Sequence, residues 1–155
     1  MANDVKKTLV FDMDGTIADL YGVNDWLTDL ESENTRPYEI AEPIYDTLKL
    51  NNILEMLKGQ GWQIVVTTWL AKGSTKEYDN RVRKAKIKWL KAHKFPYDEI
   101  HLVKYGTTKA NCTRTKGGYQ VLVDDNENVR KGWTLGATID ATANILPKLS
   151  ALVGD

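Results

Sequence analysis

The stretch Lys6–Thr16, KKTLVFDMDGT, decides how the rest of the chain reads. Its apolar run Leu9-Val10-Phe11 has strand composition, and Gly15 marks the turn that ends it. Asp12 and Asp14 stand two residues apart, so in an extended chain both carboxylates point to the same side. They belong where a buried strand ends, at the rim of a sheet. Two carboxylates placed together repel each other unless a cation or a shared proton relieves them. A hard cation such as Mg²⁺, which takes oxygen ligands and few of them from protein, suits that position.

The bulk composition narrows the class. The chain has 155 residues, 42% of them hydrophobic, enough for a single unit, 1–155, with a real core. Lys and Arg number 21 and Asp and Glu 21, so no overall basic field draws the protein to nucleic acid or membrane. The single cysteine, Cys112, excludes a disulfide framework and fits a reducing compartment. Only two histidines exist and neither is near Cys112 in sequence, which argues against a thiol nucleophile. The N-terminus lacks an apolar signal core and no run reaches membrane-span length, so the expectation is a soluble, cytoplasmic protein without membrane contact.

Along the chain, strands and helices alternate. Strands are expected at Thr8–Phe11, Gln63–Thr67, Glu99–Val103, Gln120–Val123 and Gly136–Asp140. Between them, Leu48–Lys58 carries Leu50, Ile53, Leu54 and Leu57 on one helical face, with Gly59 and Gly61 as the stop. Glu77–Lys94 is a long basic helix whose apolar stripe is Val82, Ala85, Trp89 and Leu90. Ile145–Leu152 is a short closing helix. The segment from Asp19 to Asp46 differs: it is strongly acidic, has one short helix around Trp26, Leu27 and Leu30, and is interrupted by Pro37 and Pro43. This pattern predicts an α/β fold with a parallel sheet of about five strands covered on both faces. In such sheets ligands bind at the carboxyl ends of the strands. Asp12 and Asp14, Thr67 and Thr68, and Asp124 and Asp125 all follow a strand's carboxyl end.

Asp12-Met13-Asp14-Gly15-Thr16 after an apolar strand resembles the first motif of the haloacid dehalogenase superfamily of aspartate-nucleophile phosphatases. Three further motifs follow in order. Thr67-Thr68 resembles the second, with Thr68 the better match by position and Thr67 the fallback. Lys109 resembles the third, and Asp124-Asp125 after Val121-Leu122-Val123 the fourth. The resemblance implies a three-layer Rossmann-like fold with a minimal cap, roughly residues 19–46, inserted after the first strand. It implies a Mg²⁺-dependent phosphomonoesterase working through an aspartyl-phosphate. Asp12 would be the nucleophile and Asp14 the acid and base. Asp12, Asp125 and the carbonyl of Asp14 would hold the metal, with Asp124 supporting from behind. Thr68 or Thr67, Lys109 and Gly15 would hold the phosphate. An acid at Asp14 favours phosphoryl transfer over dehalogenation, since halide leaves without a proton.

The substrate is less determined. The intervals between motifs leave room only for a small cap and hence an open site. The layout FDMDGTIAD, QIVVTTW and VLVDDNENV most resembles the small 5′(3′)-deoxyribonucleotidase branch. It also resembles the phosphatase domain of phage-type polynucleotide kinases. A nucleoside monophosphate is therefore the first expectation for the small phosphorylated substrate, and a nucleic-acid 3′-end the second. A catalytically silent binding module is the reading from another class. Trp69, Trp26 and Tyr21 are the aromatics that could stack on a base or serve as packing. The basic helix 77–94 could track a phosphate backbone or be a solvated face balancing the acidic segment.

Overall fold

The computed structural model describes residues 6–112 and 118–154, without the side chains of residues 111 and 112. Gly117, expected in a loop, and the Cys112 side chain lie outside the described residues. In chain order the elements are β1 (Lys7–Phe11), β2 (Ala18–Asp19), a single 3-10 turn (Leu20–Gly22), α1 (Trp26–Glu31), α2 (Arg36–Ile40), β3 (Glu42–Pro43), α3 (Thr47–Gly59) and β4 (Trp62–Trp69). There follow α4 (Lys76–Ala92), β5 (Glu99–Val103), α5 (Lys109–Cys112), β6 (Tyr119–Asp124), α6 (Glu127–Lys131), β7 (Thr138–Asp140) and α7 (Leu146–Leu152).

Five strands form one parallel sheet in the order β5-β4-β1-β6-β7. β1 is central, and Leu9, Val10 and Phe11 are all fully buried, as a strand covered on both faces must be. The chain first builds outward from β1 through β4 to β5, then crosses to the other side of β1 for β6 and β7. The reversal leaves a crevice at the carboxyl ends of β1 and β6.

Strand alternation divides the core. Leu9, Phe11, Ile64, Val66, Val121 and Val123 pack against Leu50, Leu54 and Leu57 of α3, Trp89 and Leu90 of α4, and Leu149 of α7. Val10, Val65 and Leu122 pack on the opposite face with Trp133, Ala110 and Val129. The result is three layers: helix, sheet, helix.

The acidic segment is pinned rather than loose. β2 and β3 pair antiparallel and close it at its base. Leu20 and Tyr38 then bury against Tyr78, Val82 and Ala85 of α4. Four α4 or pre-α4 side chains tie it down as well. Tyr78 Oη donates to Asn34 O at 2.9 Å, Arg81 to Glu33 O at 3.1 Å, Trp89 Nε1 to Ala41 O at 2.7 Å, and Thr75 Oγ1 to the Glu33 carboxylate at 2.8 Å.

Three local features differ from the sequence reading. Pro37 starts a helix instead of interrupting one, because it occupies the first turn of α2, where its missing N–H costs nothing. Pro43 lies in the two-residue β3, paired only with Ala18. The Asp-Asp-Asn sequence leads into a real helix, α6, because the Asn126 side chain accepts from Val129 N at 3.2 Å and caps it.

Candidate active site

β1 ends at Phe11, and the chain turns at once. Met13 O accepts from both Thr16 N and Ile17 N, and Gly15 N donates to Ala18 O at 2.8 Å. Gly15 has φ +80°, a left-handed conformation open to glycine at no steric cost. Its backbone runs so close to its neighbours that a Cβ would overlap Asp125 Oδ2 and come 2.8 Å from Tyr21 Cε2. The Gly15 N–H is thus engaged within the turn.

The turn separates the two aspartates. Asp12 and Asp14 line one cavity, yet they reach different lysines rather than standing on one side together. Asp12 Oδ1 accepts from Lys109 Nζ at 2.8 Å, and Lys109 Nζ also donates to Asp124 Oδ2 at 2.8 Å. Asp14 Oδ2 accepts from Lys86 Nζ at 2.9 Å. Lys109 is 3% exposed and Lys86 wholly buried. Burying a charge costs on the order of several kcal/mol unless partners surround it, and both ammoniums are so surrounded.

Asp124 spends both oxygens. One takes Lys109, and the other accepts from Asn126 N at 2.9 Å. Asp125, the next residue, turns toward Asp12. Thr16 joins them: its hydroxyl lies 3.2 Å from Asp12 Oδ2 and 3.3 Å from Asp125 Oδ1, and it accepts from Asp125 N at 3.2 Å. Carboxylate oxygens of Asp12, Asp124 and Asp125 all fall within 4.8 Å of one another, a spacing that suits one small cation. Burial, then the Asp12 charge, pushes the Asp125 carboxyl up to about 7. Burial and Asp12 raise Asp124 as well, against the pull of Lys109. This is the electrostatic mark of an acidic cluster lacking its counter-charge, and Mg²⁺ fits the donor set. Burial also raises the Asp14 carboxyl, opposed by Lys86. For Lys109, burial alone would lower the ammonium, but Asp12 and Asp124 outweigh it and raise it.

The adjacent threonines part company. Thr68 follows the Val66 parity and meets Lys86, which donates to its Oγ1 at 2.7 Å. Thr67 follows Val65, on the sheet face that carries Val10 and therefore Asp12. The β1–β4 register pairs Phe11 with Val66, so Thr67 stands level with Asp12. Both threonines are fully buried, and Thr67 Oγ1 has no hydrogen-bond partner among the described residues.

The cavity above these groups measures about 550 Å³. The acidic segment forms one wall, where Tyr21 and Trp26 make an edge-to-face pair with centroids 4.9 Å apart. Trp69 and Tyr105 stand on the sheet side, 5.1 Å apart. Trp69 is fixed by its Nε1 donating to Thr107 O at 2.9 Å. All three aromatics singled out in the sequence therefore line this space. Two residues given no role in the sequence reading, Lys86 and Thr16, lie buried beneath it and contact Asp14 and the Asp12–Asp125 pair.

No family model matches the sequence, and no curated protein matches it. The fold is a Rossmann-like α/β fold with a central parallel sheet of five strands. Among solved structures, the D,D-heptose 1,7-bisphosphate phosphatase from Burkholderia thailandensis shares it, with a TM-score of 0.51. Sequence identity is 18%, covering 85% of this chain and 75% of that one. The likeness is one of fold. Among the described residues, no helix is long and apolar enough to cross a membrane.

Proposed function

We propose that this chain is a Mg²⁺-dependent phosphomonoesterase that works through an aspartyl-phosphate on Asp12. One observation carries the reading: Asp12 sits between a buried lysine at 2.8 Å and a second carboxylate close enough to share a cation, at the floor of an open cavity. A carboxylate so placed is held rigidly and relieved of charge by the lysine, and by a cation when one is bound, which an anion attacking another anion requires. The fold shared with a phosphatase supports the same reading.

Asp12, Asp125 and the backbone carbonyl of Asp14 would hold Mg²⁺, with Asp124, its oxygens engaged by Lys109 and Asn126 N, supporting from behind; the ion would supply charge neutralisation between nucleophile and phosphate. Asp12 attacks phosphorus, the P–O bond to the leaving group breaks, and Asp14 gives its proton to the departing oxygen. Water then attacks the phosphoryl group, returns a proton to Asp14, and frees Asp12 with inorganic phosphate. Lys109 orients Asp12 and offsets charge on the phosphoryl oxygens. Thr67, level with Asp12 by strand register and with its hydroxyl unpartnered among the described residues, would donate to one of those oxygens, while Thr68, which lines the cavity, is held by Lys86. Residues 19–46 act as a small fixed cap.

The aromatic lips favour a substrate with a planar group, so a nucleoside monophosphate ranks first. The sugar phosphate named for the structural neighbour needs no such faces. A polynucleotide 3′-end is the second reading, favoured by Lys72 at the cavity rim next to the exposed cations of α4. A phosphate-release screen with Mg²⁺ across nucleoside monophosphates, sugar phosphates and 3′-phosphorylated oligonucleotides tests the ranking. Turnover confined to oligonucleotides reverses it. Release from none of them, with Mg²⁺ bound, leaves a silent binding module instead.

A further inference from the structure

Among the described residues, Lys86 is the one buried charge that the chemistry above leaves without a task. It sits in the middle of α4, wholly excluded from solvent. Its Nζ donates to Thr68 Oγ1 at 2.7 Å, Asp14 Oδ2 at 2.9 Å and Trp69 O at 3.0 Å. The Tyr38 ring lies beneath it, 5.0 Å from Nζ. An ammonium has three protons, and these three acceptors take them all. None remains for a phosphoryl oxygen, so Lys86 does not bind substrate. Two of its acceptors come from the end of β4, which the sheet holds in place.

We propose that Lys86 and Thr68 form a clamp that positions Asp14, fixing one carboxyl oxygen so that the other faces the leaving group. This rests on the reading of Asp14 as the proton donor. Asp14 lies in a turn just beyond β1, where backbone geometry alone leaves its carboxyl free to rotate. Lys86 ties Oδ2 to the rigid end of β4. Oδ1 is then the atom that passes the proton to the departing oxygen as the P–O bond breaks, and that receives one from water in the second half-reaction. Thr68 on this account serves the acid rather than the phosphate, and Lys86 is a positioning residue.

The test compares two esters on the full chain, thymidine 5′-monophosphate and p-nitrophenyl phosphate. The aryl leaving group departs without a proton and the alkyl one does not. Lys86→Met should lower kcat/KM, which covers the steps through departure of the leaving group, about 10²-fold for thymidine 5′-monophosphate and less than about threefold for p-nitrophenyl phosphate. Thr68→Val, an isosteric change that keeps the fold, should show the same selectivity with a smaller loss. In an Asp14→Asn background neither substitution should lower the rate further. Equal losses on both esters, or losses that multiply with Asp14→Asn, overturn the clamp. An Asp14→Asn variant that spares thymidine 5′-monophosphate overturns the assignment of Asp14 itself. Selective Asp14→Asn with unselective Lys86→Met and Thr68→Val overturns the clamp alone.

Discussion

Thr67 and Thr68 are consecutive, both fully buried, and face opposite sides of the sheet: one is level with Asp12, the other bound to Lys86. A buried hydroxyl without a partner costs stability and is retained where a ligand completes it. Thr67→Val should therefore raise the melting temperature while lowering kcat/KM. Losing a hydrogen bond to a charged oxygen costs about 1.5–3 kcal/mol, or about tenfold to a hundredfold in rate. Thermal denaturation and steady-state kinetics on the same preparation check both signs.

Asp12→Asn should abolish phosphate release from every ester. The amide cannot form the acyl phosphate. Substantial residual turnover would take the nucleophile role away from Asp12.

Metal binding should depend on pH in a defined direction. The Asp125 carboxyl is raised to about 7 from 3.8, so the folded state holds its proton more tightly than the unfolded chain. Its contribution to stability is complete below 3.8 and is lost as pH rises through about 7. Mg²⁺ competes with that proton and replaces the lost stabilisation. The melting-temperature gain from Mg²⁺ should be small near about pH 5 and large near about pH 8. A gain independent of pH would separate Asp125 from the metal.

Gly15→Ala should damage the same centre without removing a ligand. The left-handed φ costs a non-glycine residue about 1–3 kcal/mol, and the new Cβ displaces the Asp125 carboxyl or the Tyr21 ring. Reduced stability together with weakened Mg²⁺ affinity, measured by calorimetry, is the expected pair.

The alternation of strands and helices was open to sequence because each strand is a run buried on both faces, as Leu9-Val10-Phe11 and Val121-Leu122-Val123 show. The gathering of Asp12, Asp124 and Asp125 was readable from their places at strand ends, and Lys109 only from its resemblance to a third motif. Lys86 left a signal that went unread. Val82, Ala85, Trp89 and Leu90 mark the apolar stripe of α4, and position 86 falls inside it, four residues after Val82 and three before Trp89. A lysine there is a charge in the core, hidden among six other lysines and arginines of α4. The choice between Thr67 and Thr68 needed the β1–β4 register, which no single strand's sequence carries. Pro37 misled because proline serves turns and helix starts alike.

The anchoring of the acidic segment on α4 bears on how turnover proceeds. With Tyr78, Arg81 and Trp89 bonded to its backbone and β2–β3 sealing its base, the segment carrying Tyr21 and Trp26 is held against α4. Entry and departure then run through a permanently open mouth, with no closing stroke between them. Raising solvent viscosity with sucrose should leave kcat unchanged, and discrimination among esters should come from what fits between the aromatic rings rather than from what can trigger a movement.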